Sequence, residues 1–202
     1  MKLYYSPGTC SLSPHIALRE AGIAFEPVLA STKSHKLQDG TDYYSINPLG
    51  YVPLLELDDG TRLREVAVLL QYIADLAPTK NLAPAAGTLA RYRLQEWLNF
   101  IGTEIHKTYA PFFHPAMPDE AKAIYKGRLQ SRYEWINRQL EAKVYLMGEH
   151  FTVPDGYLFT VTNWAKVVDL DLSPYPNVQA WHARVGDRPA VQEALKAESP
   201  RK

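Results

Sequence analysis

The sequence predicts an α/β domain followed by an all-α domain. From residue 1 to about 76, apolar residues change between strand-like and helix-like spacing, while beyond residue 87 they recur only at helical spacing. A segment rich in proline and small residues separates the two stretches. We therefore predict domains at residues 1–77 and 87–202, joined by a linker at residues 78–86.

The first domain has the predicted order β-α-β, loop, β-β-α. Gly22 ends the first helix as a C-cap, and Asp58-Asp59-Gly60 is a hairpin turn signal between two strands. This order describes a small mixed sheet with helices on its faces, the thioredoxin-like plan. The predicted strands are 1–5, 25–30, 52–57 and 61–64, and the predicted helices are 11–21 and 65–76.

The second domain is predicted to be a helical bundle. An apolar stripe runs along one long helix from Leu89 to Ile105. Thr152 and Asp155 have the spacing of a capping box, and the helix that follows is apolar on nearly every side, which indicates a core helix. The remaining predicted helices cover residues 118–142, 178–185 and 189–196.

Composition restricts the functional classes. The chain has 202 residues, of which 46% are hydrophobic and 22% charged, as is usual for a soluble globular protein. A net charge of zero argues against a nucleic-acid partner, and the sequence holds no apolar stretch of the ~20 residues that span a membrane. One cysteine excludes an internal disulfide framework and favours a reducing compartment, the cytoplasm.

Cys10, the single cysteine, lies where the first strand passes into the first helix. Pro14 belongs in the first turn of that helix, since a proline further inside would remove a hydrogen bond. Cys10 therefore falls at the helix N-terminus, where unpaired N–H groups and the helix dipole stabilise a thiolate. This position favours redox or thiol-transfer chemistry; the alternative is a buried apolar cysteine.

The sequence resembles the bacterial beta-class glutathione transferases along essentially its whole length. The resemblance implies the glutathione transferase fold, glutathione as co-substrate, electrophilic or disulfide substrates, a detoxifying activity and a homodimer. The segments that carry it are Met1–Ser11, Asn47–Pro53, Gln71–Asp75, Trp97–Ile101, Thr152–Asp155 and Asp187–Val191.

The resemblance implies a glutathione site in the first domain. Cys10 would form a mixed disulfide with glutathione or contact its thiol. Val52-Pro53 would be the family's cis-proline step, which leaves the preceding backbone free to pair with an extended tripeptide. Without the resemblance, Val52-Pro53 is an ordinary extended X-Pro step.

Three further positions would hold the ends of glutathione. Glu65 would pair with its α-amino group, and the N–H of Val66 would receive its α-carboxylate at a helix N-terminus. The family has serine or a similar small residue at position 66 and usually lysine at position 35, where this chain has valine and histidine. Both changes weaken the hold on the ligand carboxylates; the alternative interpretations are a first-turn acid for Glu65 and a solvated loop histidine for His35.

The helical domain would complete the site. The spacing of Asn99, Thr103 and His106 predicts that they share one helix face. The resemblance places that face over the cysteine, with His106 as general base or proton donor and neighbouring Lys107 as a glutathione-binding residue. Trp164 would lie near the ligand, and with Tyr109 and Phe113 it would form the hydrophobic substrate site; the alternative for Trp164 is a core aromatic. Together with Phe112, these aromatic residues could equally line a cleft for hydrophobic ligands.

Two functional hypotheses follow. The first is a glutathione transferase that conjugates glutathione to electrophiles, exchanges thiols and disulfides through Cys10, or does both. The second is a non-catalytic protein that binds hydrophobic ligands on the same scaffold. The sequence holds no metal-binding motif, phosphate loop or second cysteine for dithiol chemistry.

Overall fold

The computed structural model describes residues 1–199 and confirms an α/β part and an all-α part. Two compact units are present: the first contains residues 1–83 and the segment that begins at Arg188, and the second contains residues 84–187. The helices are α1 (Leu12–Ala21), α2 (Val66–Leu76), α3 (Leu89–Phe100), α4 (Lys107–Tyr109), α5 (Asp119–Gln139), α6 (Val153–Thr162), α7 (Pro176–Gly186) and α8 (Pro189–Glu198).

The first unit is built on a mixed sheet with the strand order β2-β1-β3-β4. β1 pairs in parallel with β2 and antiparallel with β3, and β3 and β4 form the predicted hairpin. Residues of the sheet and of α1 and α2 form a fully buried core that includes Leu3, Ile16, Leu55 and Leu70. The strands are β1 (Lys2–Tyr5), β2 (Glu26–Leu29), β3 (Leu54–Glu56) and β4 (Arg62–Leu63).

The C-terminal helix α8 packs on α1 and so belongs to the first unit, whereas the sequence-based division placed residues 87–202 together. Arg188 donates to both carboxylate oxygens of Glu20 at 2.6 and 2.8 Å. Buried His15 is paired with Glu198 across 2.9 Å. Partners separated by more than 160 positions leave no periodic signal in the sequence, so this grouping could not be predicted.

The second unit is organised around α6, all of whose residues are buried. The Thr152–Asp155 capping box is present as predicted. Asp155 also accepts from the backbone N–H of Leu146 and the indole of Trp181, each at 2.9 Å, and so ties the start of α6 to α7. Because the carboxyl group is fully enclosed, burial raises the pKa of Asp155.

The long helix of the second unit is not uniform. α3 ends at Phe100, and residues Ile101–His106 continue as a π-helix before α4 and a 3-10 helix at Ala110–Phe113. A π-helical turn is wider than an α-helical turn and is found frequently at functional sites. Within residues 1–199, no helix is long and apolar enough to cross a membrane.

Candidate active site

Cys10 lies in the turn between β1 and α1, directly before the N-cap residue Ser11. Its side chain is partly buried, and its Sγ atom is 3.5 Å from the backbone carbonyl oxygen of Val52. Pro14 occupies the first turn of α1, as the sequence predicts. The structure therefore places the thiol at a helix start and beside the loop that precedes β3.

Short polar side chains hold this turn together. The Oγ atom of Ser11 accepts from the backbone N–H of Ser6 and donates to its carbonyl oxygen, both at 3.1 Å. Thr9 also donates to the Ser6 carbonyl oxygen at 2.8 Å and lies 2.8 Å from the Ser11 hydroxyl. Since these three residues bracket Cys10, their hydrogen bonds fix the backbone from which the thiol projects.

The loop opposite the thiol contains a cis peptide bond between Val52 and Pro53, which confirms the predicted isomer. Both residues are buried. The carbonyl oxygen of the preceding Tyr51 accepts from the Asn47 amide at 2.7 Å and from the Tyr43 hydroxyl at 2.9 Å. Asn47, the first residue of the Asn47–Pro53 segment that carries the family resemblance, thus anchors the loop that contains Val52.

Glu65 is exposed and directly precedes α2, with a positive φ of 69°. A positive φ in a residue other than glycine costs of order 1–3 kcal/mol of conformational strain, and such residues are found preferentially at functional sites. Its carbonyl oxygen accepts the N–H groups of Val68 and Leu69, which start the helix. Val66, the first residue of α2, is buried with 6% of its surface exposed.

His35 is partly buried and also has a positive φ, 53°. Its ring packs on Tyr44 with the ring centroids 4.6 Å apart. Its Nδ1 atom is buried and has no hydrogen-bond partner within residues 1–199. A Cβ atom on Gly50 would lie 2.9 Å from this nitrogen, so glycine is the residue that leaves room for the imidazole.

In the second unit, Asn99 and Thr103 are exposed and line a cavity of about 790 Å³ together with Trp97, Phe100 and Trp135. His106 is not among the residues that line it. The prediction that Asn99, Thr103 and His106 share one helix face assumes α-helical spacing, which the π-helix over residues 101–106 replaces. Thr103 donates to the carbonyl oxygen of Asn99 at 3.0 Å.

His106 packs instead against α6 and the segment that follows it. Its Nδ1 atom lies 2.8 Å from the hydroxyl oxygen of Tyr157, and its ring meets the Trp164 ring edge to face at 5.1 Å. Burial, together with the nearby ammonium group of exposed Lys107, lowers the pKa of His106 to about 4. The imidazole is therefore neutral at physiological pH.

Trp164 connects the predicted hydrophobic residues. It contacts Tyr109 and Phe113 edge to face, with centroids 5.7 and 5.5 Å apart. Phe113 is 49% exposed, whereas Tyr109 is fully buried and its hydroxyl is 3.0 Å from that of Tyr133. Tyr109 is thus a core residue beneath Trp164 rather than a surface that a substrate could touch.

Sequence reasoning missed Tyr157. The capping box predicts the helix that carries it, but the sequence contains no signal that joins residues 106 and 157.

No group of three or more His, Cys, Asp or Glu residues among residues 1–199 is arranged to hold a metal ion.

Comparisons with known proteins identify the family. The model described as "Glutathione S-transferase, N-terminal domain" matches residues 8–76, and the model described as "Glutathione S-transferase, C-terminal domain" matches residues 100–189. Glutathione S-transferase GstA of Escherichia coli O157:H7 is 42% identical over 198 residues, which are 98% of each chain.

Solved structures of glutathione S-transferases have the same fold as this chain. A sphingomonad glutathione S-transferase complexed with glutathione superposes with a TM-score of 0.95 at 44% identity and covers 98% of both chains. The bacterial beta-class enzyme of Sphingomonas chungbukensis has a TM-score of 0.95 at 45% identity and covers 98% of this chain and 99% of its own. This chain therefore belongs to the glutathione S-transferase family and is similar to its bacterial beta class.

Proposed function

We propose that this protein is a glutathione transferase that conjugates the glutathione thiol to electrophiles and also exchanges thiols with disulfides through Cys10. The observation that carries the proposal is the position of the Cys10 thiol, at the start of α1 and 3.5 Å from the Val52 carbonyl oxygen. It is supported by the 44% identical sphingomonad glutathione S-transferase, whose solved structure is complexed with glutathione.

The first unit supplies the groups that hold glutathione. The Glu65 carboxylate binds the α-amino group of the ligand, and the N–H of Val66 at the start of α2 binds its α-carboxylate. The backbone of Val52 pairs with the cysteine residue of the tripeptide. Because Nδ1 of His35 is buried against Gly50, Nε2 is the nitrogen that donates to a ligand carboxylate.

The second unit supplies polar and hydrophobic groups. His106 donates a hydrogen bond to the sulfur, and a neutral imidazole can do so without a change in its charge. Asn99, Thr103 and Lys107, all exposed, contact the polar parts of glutathione. Phe113 and Trp164 contact the electrophile, and buried Tyr109 supports Trp164 from below.

Thiol exchange needs an external disulfide. The Cys10 thiolate attacks one sulfur of oxidised glutathione, so that a Cys10–glutathione disulfide forms and one glutathione thiolate leaves. A second external thiol then reduces this mixed disulfide, because the sequence contains no other cysteine that could resolve it.

The proposal is tested by titrating glutathione into the reduced protein at pH 7 in a calorimeter and by assaying conjugation to an aryl halide. We expect binding in the micromolar to low-millimolar range and turnover that requires glutathione. If heat and turnover are both absent up to ~10 mM glutathione, a concentration at which even millimolar affinity is saturating, the transferase function is wrong. The hydrophobic-ligand hypothesis would then be tested with apolar compounds.

We also propose a homodimer that acts in the cytoplasm. Exposed apolar side chains support self-association, since Leu89 and Tyr92 of α3 are 72% and 58% exposed. A single cysteine in the sequence fits a reducing compartment. Sedimentation velocity tests the dimer: a single species at the monomer mass would contradict it.

A further inference from the structure

We propose that Tyr157 is a positioning residue of the glutathione reaction: its hydroxyl donates a hydrogen bond to Nδ1 of His106 and thereby holds the His106 proton on Nε2. This inference rests on the function proposed above, in which His106 acts on the glutathione sulfur. It concerns a residue that the sequence does not connect to the site, and it decides which of two roles, base or donor, His106 can perform.

The geometry of the pair is well suited to this task. The Tyr157 oxygen and His106 Nδ1 are 2.8 Å apart, a short and favourable distance for such a bond. The two rings are nearly perpendicular, at 87°, with centroids 5.9 Å apart. Tyr157 is 3% exposed and belongs to α6, a helix that is buried along its whole length and begins with the Thr152–Asp155 capping box. The phenol is therefore held on a rigid element.

The direction of the hydrogen bond follows from the acidities of its partners. A phenol loses its proton near pH 10, whereas a neutral imidazole N–H is a far weaker acid and its unprotonated nitrogen is a good acceptor. The arrangement O–H···N is therefore favoured over N–H···O. In the favoured arrangement Nδ1 of His106 is an acceptor, and the ring proton of the neutral imidazole is on Nε2.

A doubly protonated ring is excluded at neutral pH. Burial disfavours the imidazolium, and the ammonium group of the adjacent Lys107 disfavours it further. The two neutral tautomers remain, and they differ in what they offer a ligand. With the proton on Nε2, that atom donates to a thiolate; with the proton on Nδ1, Nε2 presents a lone pair that a thiolate repels.

Tyr157 therefore makes His106 a hydrogen-bond donor rather than a base. A donor that faces the sulfur stabilises the thiolate form of glutathione before and during its attack on the electrophile. Trp164, which packs edge to face on the same imidazole, restricts the ring orientation. The role of Tyr157 is thus exerted through His106, without contact to the substrate.

The first test is spectroscopic and needs no activity. Long-range proton–nitrogen correlation spectra of protein labelled with nitrogen-15 in its six histidines report which ring nitrogen carries the proton. The His106 signals are assigned by their loss in a His106→Asn variant. We expect an unprotonated Nδ1 and a protonated Nε2 in the wild-type protein at pH 7. A protonated Nδ1 would overturn the proposal.

The second test compares Tyr157→Phe with Tyr175→Phe. Tyr175 is also buried in the second unit, and its hydroxyl donates to the Gln130 carbonyl oxygen at 3.1 Å, away from His106. We expect Tyr157→Phe to lower kcat about three- to tenfold with little change in KM, and to populate both tautomers. The thiolate absorbance of bound glutathione at neutral pH should fall in parallel, because its hydrogen-bond donor is then present only part of the time.

The outcomes separate this inference from the function on which it rests. Tyr175→Phe should keep the wild-type tautomer, kcat and thiolate absorbance. If the wild-type protein turns over glutathione and Tyr157→Phe does so equally fast with an unchanged tautomer, the positioning role is wrong and the transferase function stands. If the wild-type protein has no glutathione turnover, the proposed function fails, and the role of Tyr157 fails with it.

Discussion

The thiol of Cys10 donates to the backbone carbonyl oxygen of Val52 across 3.5 Å, so the only cysteine of the chain is hydrogen-bonded to the loop that precedes β3. This carbonyl can accept from a thiol but repels a thiolate. We infer that the contact belongs to the resting, protonated form of Cys10. Ionisation of the thiol removes this hydrogen bond, while the dipole of α1, whose N-cap residue directly follows Cys10, favours the negative charge.

Replacing Cys10 with alanine should remove thiol exchange. We expect wild-type protein incubated with oxidised glutathione to gain the mass of one glutathione moiety, and the Cys10→Ala variant to gain none. Glutathione-dependent reduction of a small disulfide should fall at least a hundredfold in the variant, since no other cysteine can substitute. A Ser173→Ala variant, altered far from the thiol in sequence and in the other unit, is the control. Full exchange activity in Cys10→Ala would exclude the proposed role.

Replacing His106 with alanine should lower kcat about tenfold or more and change KM less. The reason is that the lost hydrogen-bond donor acts chiefly on the charge of the sulfur in the transition state. Since burial and Lys107 lower the pKa of His106 to about 4, the imidazole stays neutral from pH 5 upward. The wild-type pH profile should therefore have no limb from His106 between pH 5 and 8. Steady-state kinetics over that range check both points.

The control for this experiment is His150→Ala, which removes an exposed histidine of the same unit. An unchanged kcat in the His106 variant would remove this residue from the mechanism. A limb near pH 6.5 that disappears with His106 would show that the imidazole titrates as a solvated histidine does, contrary to its burial.

Replacing Val66 with serine should tighten glutathione binding. The first residue of α2 donates its N–H at the helix start, and a serine hydroxyl would add a hydrogen bond to a charged carboxylate, worth about 1.5–3 kcal/mol. We expect Kd to fall about tenfold in a calorimetric titration. Val68→Ser is the matched control, because Val68 lies on the same helix but is 47% exposed. An equal or weaker affinity in Val66→Ser would show that position 66 does not face the ligand.

Much of the fold can be predicted from sequence patterns, because local chemistry determines where its helices and turns begin and end. The Asp58-Asp59-Gly60 turn, the Gly22 C-cap and the Thr152–Asp155 capping box each act within a few residues, and the structure contains all three. The placement of Cys10 just before α1 follows in the same way from Pro14 in the first helical turn. The cis step at Val52-Pro53 is different, because local chemistry alone favours an ordinary extended step there and only the family resemblance predicts the cis isomer.

Features that depend on distant packing could not be predicted. The π-helix over residues 101–106 changes the spacing of Thr103 and His106, although the sequence there has ordinary helical periodicity. The bond between His106 and Tyr157 joins positions 51 apart, and the burial of Tyr109 depends on Tyr133 from another helix. Sequence spacing reports which residues share an element but not how that element packs.

Replacing Gly50 with alanine should destabilise the protein and disturb His35. The new Cβ would lie 2.7 Å from the Tyr44 ring and 2.9 Å from Nδ1 of His35, and φ at this position is positive, 67°. We expect a loss of about 2–3 kcal/mol in the free energy of unfolding, measured by urea denaturation, together with weaker glutathione binding.

The Gly60→Ala variant is the control that separates the effect of the steric clash at Gly50 from the effect of backbone strain. Gly60 also has a positive φ, 82°, but a Cβ there would meet no atom within 4 Å. The Gly60→Ala variant should lose about 1 kcal/mol in its free energy of unfolding and keep the wild-type glutathione affinity. Equal losses of unfolding free energy in the two variants would mean that the rings of His35 and Tyr44 move to make room for the added methyl group without an energetic cost.

His182 makes stability depend on pH in a direction that can be worked out. Its ring stacks on Phe159 at 4.6 Å, and its Nε2 atom lies 2.9 Å from Oδ1 of Asn163. Burial, with a contribution from the Lys166 ammonium, lowers the pKa of His182 to about 4. An unfolded histidine takes up a proton near pH 6.5, so between pH 6.5 and 4 the unfolded chain binds more protons than the folded one.

The stability contributed by neutral His182 is therefore complete above pH 6.5 and is lost as the pH falls toward 4. We expect the free energy of unfolding of the wild-type protein to decrease over this range by up to about 3 kcal/mol more than that of His182→Phe, which keeps the stacking but cannot titrate. His150→Phe, at an exposed position, should retain the wild-type slope. Parallel slopes for wild type and His182→Phe in urea denaturation would show that the partly buried imidazole accepts a proton without unfolding, and that the packing around Phe159 and Asn163 opens to water at low pH.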